Sequence, residues 1–274
     1  MALDLLETVG LSDVGNVRQY NEDTIAIDTG LGLMALADGM GGHRAGEVAS
    51  RMAVDVLMQA LRAQFPELRS AVRQHQPLLV VDRSINQANR AIYEAAQAQP
   101  GYYGMGTTLA LTFFYDNGVV LGHIGDSRIY RLREGRLELL TRDDSLVRDQ
   151  IELGLISATD ASESHNRSLV TRALGITADA SPHLRRDAAL PGDVYLLCSD
   201  GLNDLVDDAD IELMLDRLQA NLPLAAQHLI QTAKDNGGYD NVSVILVKVL
   251  QPFPATVQHG WWRRVLAWLT RRSA

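Results

Sequence analysis

The chain has 274 residues, 46% of them hydrophobic, enough for one large domain or two small ones with a substantial core. All 34 acids fall before residue 241, so residues 1–250 carry 21 bases against 34 acids, or −13, while Arg263, Arg264, Arg271 and Arg272 are the charges of residues 251–274. A body of that sign repels phosphate backbones and excludes non-specific nucleic-acid binding, and a single cysteine, Cys198, excludes an intramolecular disulfide.

The opening residues show no basic-then-apolar leader, and no apolar run approaches the roughly 18 residues that cross a bilayer, so the expectation is a cytoplasmic chain. Residues 8–29 predict two strands paired around a polar loop that holds Arg18, Asn21, Glu22 and Asp23. The apolar run Leu31 to Ala37 predicts a buried strand ending at an acid, and Ala45 to Leu61 carries apolar residues at helical spacing. Between them lies Asp38-Gly39-Met40-Gly41-Gly42-His43, a carboxylate followed by glycines that let the backbone turn sharply and pass close to a neighbour. An acid beside bare carbonyls suits a hard divalent cation with oxygen ligands; an ordinary strand–helix turn has the same local form.

Helices are predicted over 43–63 and 78–98, joined by a polar connector, with Pro100-Gly101 ending the second. Residues 106–140 predict a β meander, turning at Asp116-Asn117-Gly118 and interrupted at Gly125-Asp126-Ser127. Residues 143–183 are irregular, with a short helix at 146–153 and a serine- and acid-rich run at 159–166; the segment is either a flap near a site or a surface excursion. Asp193 to Cys198 predicts a buried strand, with Cys198 a structural thiol. Then come Ser199-Asp200-Gly201-Leu202-Asn203-Asp204, helices over 208–219 and 223–236, a Gly237-Gly238 turn to Asp240-Asn241, and a last strand over 242–249. This order lacks the βαβ alternation of a parallel sheet and predicts an α+β fold, antiparallel sheet against segregated helix pairs. Pro252 to Gly260 is a linker. At 100° per residue, Trp261, Trp262, Val265, Leu266, Trp268 and Leu269 share one arc opposite Arg263, Arg264 and Arg271, a short basic amphipathic helix. Three readings of 261–272 stand: packing on the body, lying on an anionic membrane surface, or serving as a partner-docking or mobile end.

Asp38, Asp126, Asp200 and Asp240 share a local grammar, each near glycine at the end or start of a predicted strand. Each alone is equally a turn former or helix cap. Crowded carboxylates repel by several kcal/mol unless cations compensate them, so convergence of all four predicts metal. Arg18-Gln19-Tyr20-Asn21-Glu22-Asp23, Asp38-Gly39-Met40-Gly41-Gly42-His43, Gly106-Thr107-Thr108, Gly125-Asp126-Ser127-Arg128, Ser199-Asp200-Gly201-Leu202 and Asp240-Asn241 occur in the order and spacing of the metal-dependent protein phosphatases, the type 2C or PPM family. From about residue 8 to residue 249 the chain resembles the bacterial branch of that family.

The resemblance implies a four-layer α-β-β-α sandwich, two antiparallel sheets flanked by helix pairs, as a catalytic domain over 1–250, with 251–274 as linker and tail. It implies a binuclear Mn²⁺ or Mg²⁺ centre in which Asp38 bridges both ions and the Gly39 carbonyl ligates one. Asp200 and Asp240 would hold the other ion, and Glu22 and Asp23 would support the site, partly through water. Asp126 and Asp204 match positions that bind a weaker third metal in bacterial relatives, and Arg18 matches the residue that grips substrate phosphate. Two cations about 3.5–4 Å apart activate a water and stabilise attacking and leaving oxygens, so the implied activity is one-step hydrolysis of phosphoserine and phosphothreonine in proteins. The implied partners are phosphoproteins and an opposing bacterial Ser/Thr kinase. The alternatives are a non-catalytic pseudophosphatase that binds phosphoproteins, or a phosphatase of small phosphoesters or of a partner-switching regulator. The chain departs from the family in two places. Met40 stands where animal relatives place a His proposed as leaving-group acid, and the role of nearby His43 is open. Asp143-Asp144-Ser145 replaces a common Asp-His-Ser, which leaves that segment's role open.

Overall fold

A computed structural model of the chain describes residues 5–42, 45–64, 77–157 and 169–253. His43, the run 159–166 and the amphipathic segment 261–272 lie outside the described residues. The elements, in order, are β1 (Leu6–Asp13), β2 (Asp23–Asp28), β3 (Leu33–Met40), α1 (Ala45–Ala63), α2 (Pro77–Ala98), a 3₁₀ turn (Pro100–Tyr102), β4 (Gly106–Thr107), β5 (Leu109–Tyr115), β6 (Gly118–Ile124), β7 (Arg128–Arg133), β8 (Arg136–Leu139), α3 (Leu146–Glu152), β9 (His183–Ala188), β10 (Val194–Cys198), the single turn α4 (Asp200–Asn203), α5 (Asp208–Leu218), α6 (Leu222–Asp235) and β11 (Val242–Val249).

Two antiparallel sheets carry the fold. One runs β1-β11-β10-β7-β8, the other β2-β3-β5-β6-β9 with β4 paired to β3. The period-2 alternation of strands sorts the side chains into layers. On β3, Leu33, Ala35 and Ala37 pack under α1 and α2, while Met34 and Leu36 face the other sheet. On β10, Val194, Leu196 and Cys198 pack under α5 and α6, while Tyr195 and Leu197 face back toward β3 and β5. Helix pair, sheet, sheet, helix pair is therefore the order of layers, with three apolar cores between them. Among the described residues, no helix is long and apolar enough to cross a membrane.

The helices and buried strands fall within a few residues of their expected spans, whereas three pairings differ from expectation. The strand pair expected within 8–29 does not form: β1 pairs with β11 and β2 with β3, in different sheets. The expected meander divides as well. The β5–β6 hairpin belongs to one sheet and β7–β8 to the other, and the chain crosses between them at Gly125–Ser127, where Gly125 takes φ 103°. Turn chemistry marks where a chain reverses, but not which sheet receives the returning strand. β9 has no counterpart among the expected elements. His183, Arg185, Arg186 and Asp187 give it no apolar alternation, and it forms the charged edge of its sheet.

Leu36 is fully buried between the sheets. Leu36→Ala should lower unfolding stability by about 2–5 kcal/mol, read as a shift of the urea midpoint at unchanged slope.

Candidate metal centre

Asp38 lies inside β3 and not at its end, because Gly39 and Met40 continue the strand by pairing with Thr107 and Gly106 of β4. The backbone of Asp38 is held on both sides. Its N–H donates to Thr108 Oγ1 at 2.9 Å, and its carbonyl accepts from the Thr108 N–H at 2.9 Å and the Thr107 hydroxyl at 2.7 Å. The Gly106-Thr107-Thr108 motif thus acts on this carboxylate through the chain. Directly across the ladder from Asp38 stands Asp23 of β2, so two acids occupy a cross-strand pair that ordinarily repels. Gly39 is required by space: a Cβ there would collide with the Gly46 carbonyl of α1 and the Glu22 carbonyl.

The other sheet supplies the opposing acids. Asp200 begins α4 directly after β10, and Asp204 follows one turn later, donating its N–H to the Asp200 carbonyl at 2.8 Å. Asp240 precedes β11, and its Oδ2 accepts from Arg18 Nη2 at 2.7 Å. Asn241 staples the 14–22 loop to this rim. Its Nδ2 donates to the carbonyls of Val14 and Tyr20, both at 3.0 Å, and its Oδ1 accepts the Glu22 N–H at 2.7 Å. Ser199 joins the two sheets by donating its hydroxyl to Asp23 Oδ2 at 2.8 Å. Asp126 sits at the crossover from β6 to β7 and shares a cavity of about 390 Å³ with Asp200 and Asp204.

Burial, reinforced by mutual repulsion, governs this group. Burial first, then the charges of Asp23, Asp200, Asp126 and Asp240, pushes Asp38 well above the ordinary carboxylate range. Burial followed by Asp126, Asp240 and Asp204 does the same to Asp200. Burial, with Asp143 and Asp204 adding, raises Asp126 to about 7, and burial raises Asp23 to about 6 against the hydroxyls that hydrogen-bond it. Glu22 is also raised, chiefly by burial. Three buried oxygens, Glu22 Oε1, Asp23 Oδ1 and Asp200 Oδ1, have no hydrogen-bond partner among the described residues. A donor set made of carboxylate and carbonyl oxygens, with orphaned oxygens and unrelieved like charge, fits hard divalent cations such as Mg²⁺ or Mn²⁺. Among the described residues, no three of these acids bring one oxygen each within 4.8 Å of the others; the group that meets this limit is His123, Asp144 and His183, apart from the acid rim.

A family model for protein phosphatase 2C matches residues 16–232. The chain belongs to the protein phosphatase 2C family. It is 40% identical over 247 residues to the serine/threonine protein phosphatase PstP of Mycobacterium tuberculosis, an alignment covering 90% of this chain and 45% of PstP. The chain thus spans less than half the length of that relative. It is 34% identical to the serine/threonine phosphatase stp of Listeria innocua, covering 86% of this chain and 93% of stp. The crystal structure of M. tuberculosis PstP/Ppp superposes at TM-score 0.80 with 37% identity, over 90% of this chain and all of that one. A structure of the PstP catalytic domain with two manganese ions gives 0.78 at 37% identity, over 90% and 99% of the two chains.

In this phosphatase 2C chain several site-end residues carry no chemical signature of their own in the sequence. Thr108, Ser199 and Asn241 are small polar residues, and only their burial and bonds mark them. The segment Asp143-Asp144-Ser145 has a structural role. Asp143 receives a fork from Arg128 with its shortest arm at 2.7 Å, Asp144 accepts the Gly125 N–H at 3.1 Å, and Ser145 caps α3. Cys198 is fully buried and burial pushes its thiol up to about 12, the reverse of what a nucleophile needs.

The raised acids set a pH dependence. Below about pH 4 they are protonated folded or unfolded and contribute no difference. As pH climbs past the ordinary value of 3.8, the unfolded chain releases protons that the folded chain keeps, so stability falls until pH passes the folded values, about 6 for Asp23 and about 7 for Asp126. In chelator, the thermal midpoint of the native chain should fall between pH 4 and 7 more steeply than that of Asp126→Asn; equal slopes would remove Asp126 from this account. Gly39→Ala should cost at least about 2 kcal/mol, since backbone meets the new methyl on two sides, measurable by denaturant titration.

Proposed function

We propose that this chain is a metal-dependent phosphatase of phosphoserine and phosphothreonine in proteins. The observation that carries the reading is the rim of buried, mutually repelling carboxylates with orphaned oxygens, in a chain of the protein phosphatase 2C family. Asp38, the Gly39 carbonyl, Asp200 and Asp240 would hold the cations, with Asp38 the shared ligand between the two groups. Glu22 and Asp23 would support them, and Asp126 and Asp204 would hold a third. Cations bound there supply the charge that lowers the pKa of an attacking water and neutralises phosphate oxygens.

The chain's own residues do the rest. Thr107 and Thr108 fix the backbone on either side of Asp38, and Ser199 fixes Asp23, so the carboxylates present their oxygens without reorganising. Arg18 stands half exposed and anchored to Asp240, and its planar fork of donors suits phosphate oxygens. No side-chain nucleophile enters the scheme, consistent with the deeply buried Cys198. The names of the relatives, serine/threonine phosphatases, support phosphoproteins as substrates; an opposing Ser/Thr kinase as the source of the phosphate is part of the proposal.

The test is hydrolysis of an aryl phosphate and a phosphothreonine peptide, with Mn²⁺, Mg²⁺ or chelator. Turnover should require the cation and fall at least about a hundredfold in Asp38→Ala. Arg18→Ala should raise KM for the peptide more than it lowers kcat. Folded protein that turns over neither substrate with either cation would sink the enzymatic reading.

A further inference from the structure

A second group of ligating side chains lies outside the acid rim. The register of β6 and β9 sets His123 directly opposite His183, and cross-strand partners project to the same face of the sheet. Their rings stack with centroids 5.9 Å apart and planes 24° from parallel. Asp144 enters from the turn before α3 and places Oδ1 3.0 Å from His183 Nε2. One ligand atom from each of the three lies within 4.8 Å of the other two.

His123 is the residue that demands explanation. It shares the inward face of β6 with Val119 and Leu121, which pack in the core between the sheets, and it is 2% exposed. Among the described residues, neither of its ring nitrogens has a hydrogen-bond partner. A buried polar group left unpaired costs free energy, and an apolar residue at this position would avoid that cost. Burial holds the imidazole neutral, pushing it down to about 4 against the opposing pull of the Asp144 and Asp143 charges. A neutral imidazole is the form that ligates a metal.

We propose that His123, Asp144 and His183 form a second metal site that takes a borderline divalent cation, Zn²⁺ foremost. Two imidazole nitrogens and one carboxylate oxygen form a set suited to zinc with a fourth position for water, whereas Mg²⁺ prefers oxygens. A tetrahedral zinc with bonds of about 2.0–2.1 Å sets its ligand atoms roughly 3.3 Å apart. His183 Nε2 and Asp144 Oδ1 are already near that separation. A cavity of about 290 Å³ reaches both histidines, with Leu140, Thr141, Arg142 and Arg185 also in its lining, and leaves a place for the fourth ligand.

Two guanidiniums limit the affinity, since Arg172 Nε lies 3.5 Å and Arg142 Nη1 3.9 Å from Asp144 Oδ1. Arg142 is also engaged by Asp149 and Glu152, and Arg172 is partly exposed. Binding is therefore expected to be micromolar and not that of a closed structural zinc site. Asp144 also ties the site to its surroundings: its N–H donates to the Gly125 carbonyl at 2.7 Å and its Oδ2 accepts the Gly125 N–H, one residue from Asp126.

The experiment uses the full chain carrying Asp38→Asn and Asp200→Asn, so that the acid rim is disabled while the histidine cluster is intact. Zn²⁺ alone is titrated calorimetrically at neutral pH, and Co²⁺ is followed by its visible absorption. One equivalent of Zn²⁺ should bind in the presence of excess Mg²⁺. Adding His183→Ala, at a side chain 42% exposed and so safe for folding, should weaken binding at least about tenfold. His123→Gln should do the same and abolish the cobalt band. Zinc affinity unchanged by His183→Ala, or no zinc bound by the folded Asp38→Asn, Asp200→Asn chain, overturns the proposal. Neither outcome bears on phosphatase activity, which is read with Mn²⁺ or Mg²⁺ on the chain with its acid rim intact.

Discussion

Like charge held together against its own repulsion is the constraint on which this molecule depends. Asp23, Asp38, Asp126 and Asp200 are buried, and burial with the charge of neighbouring acids pushes each toward protonation. Left to themselves, such side chains would rotate outward or pull the strands apart. The backbone and the neutral polar residues around them prevent it. Thr107 and Thr108 clamp Asp38 on β3, Ser199 reaches across the sheets to Asp23, and Asn241 ties the 14–22 loop to the start of β11. None of these holding groups is charged, so they fix position without cancelling the field that attracts cations.

The two-sheet sandwich makes that arrangement possible. Asp23 and Asp38 come from one sheet, Asp200 and Asp240 border β10 and β11 of the other, and Asp126 sits where the chain passes between them. The apolar layer beneath holds the sheets at a fixed separation, with Leu36, Tyr195, Leu197 and Ile245 interdigitated in it. Close approach of backbone at the rim then falls to glycine. Gly39 lies against α1, and Gly201 packs so near the Asn241 carbonyl that a Cβ would collide with it. Arg18 completes the balance at the solvent side, facing Asp240.

Asp144 connects this rim with the opposite flank of the β6 end. One of its oxygens supports Gly125, beside Asp126, and the other meets His183. A replacement that looks like a loss of family wording, Asp143-Asp144 in place of Asp-His, is thus tied into both the Arg128 fork and the histidine cluster.

The chain's periodicity and turn chemistry determined α1, α2, α5, α6, the β5–β6 hairpin and the strands β10 and β11, because each follows from contacts among residues near in sequence. The acids were legible for the same reason: Asp38, Asp126, Asp200 and Asp240 each lie within three residues of a glycine, and the first three fall within the residues matched to protein phosphatase 2C. Partnership was not legible. That β1 leaves β2 for β11, that β7 leaves β6 for β10, and that the charged segment His183–Ala188 is a strand at all were decided by long-range pairing. So was the meeting of His123 with His183, sixty residues apart. Short-range signals state what a segment can become; which segments then face each other depends on how whole apolar faces are buried, and only the folded chain resolves that choice.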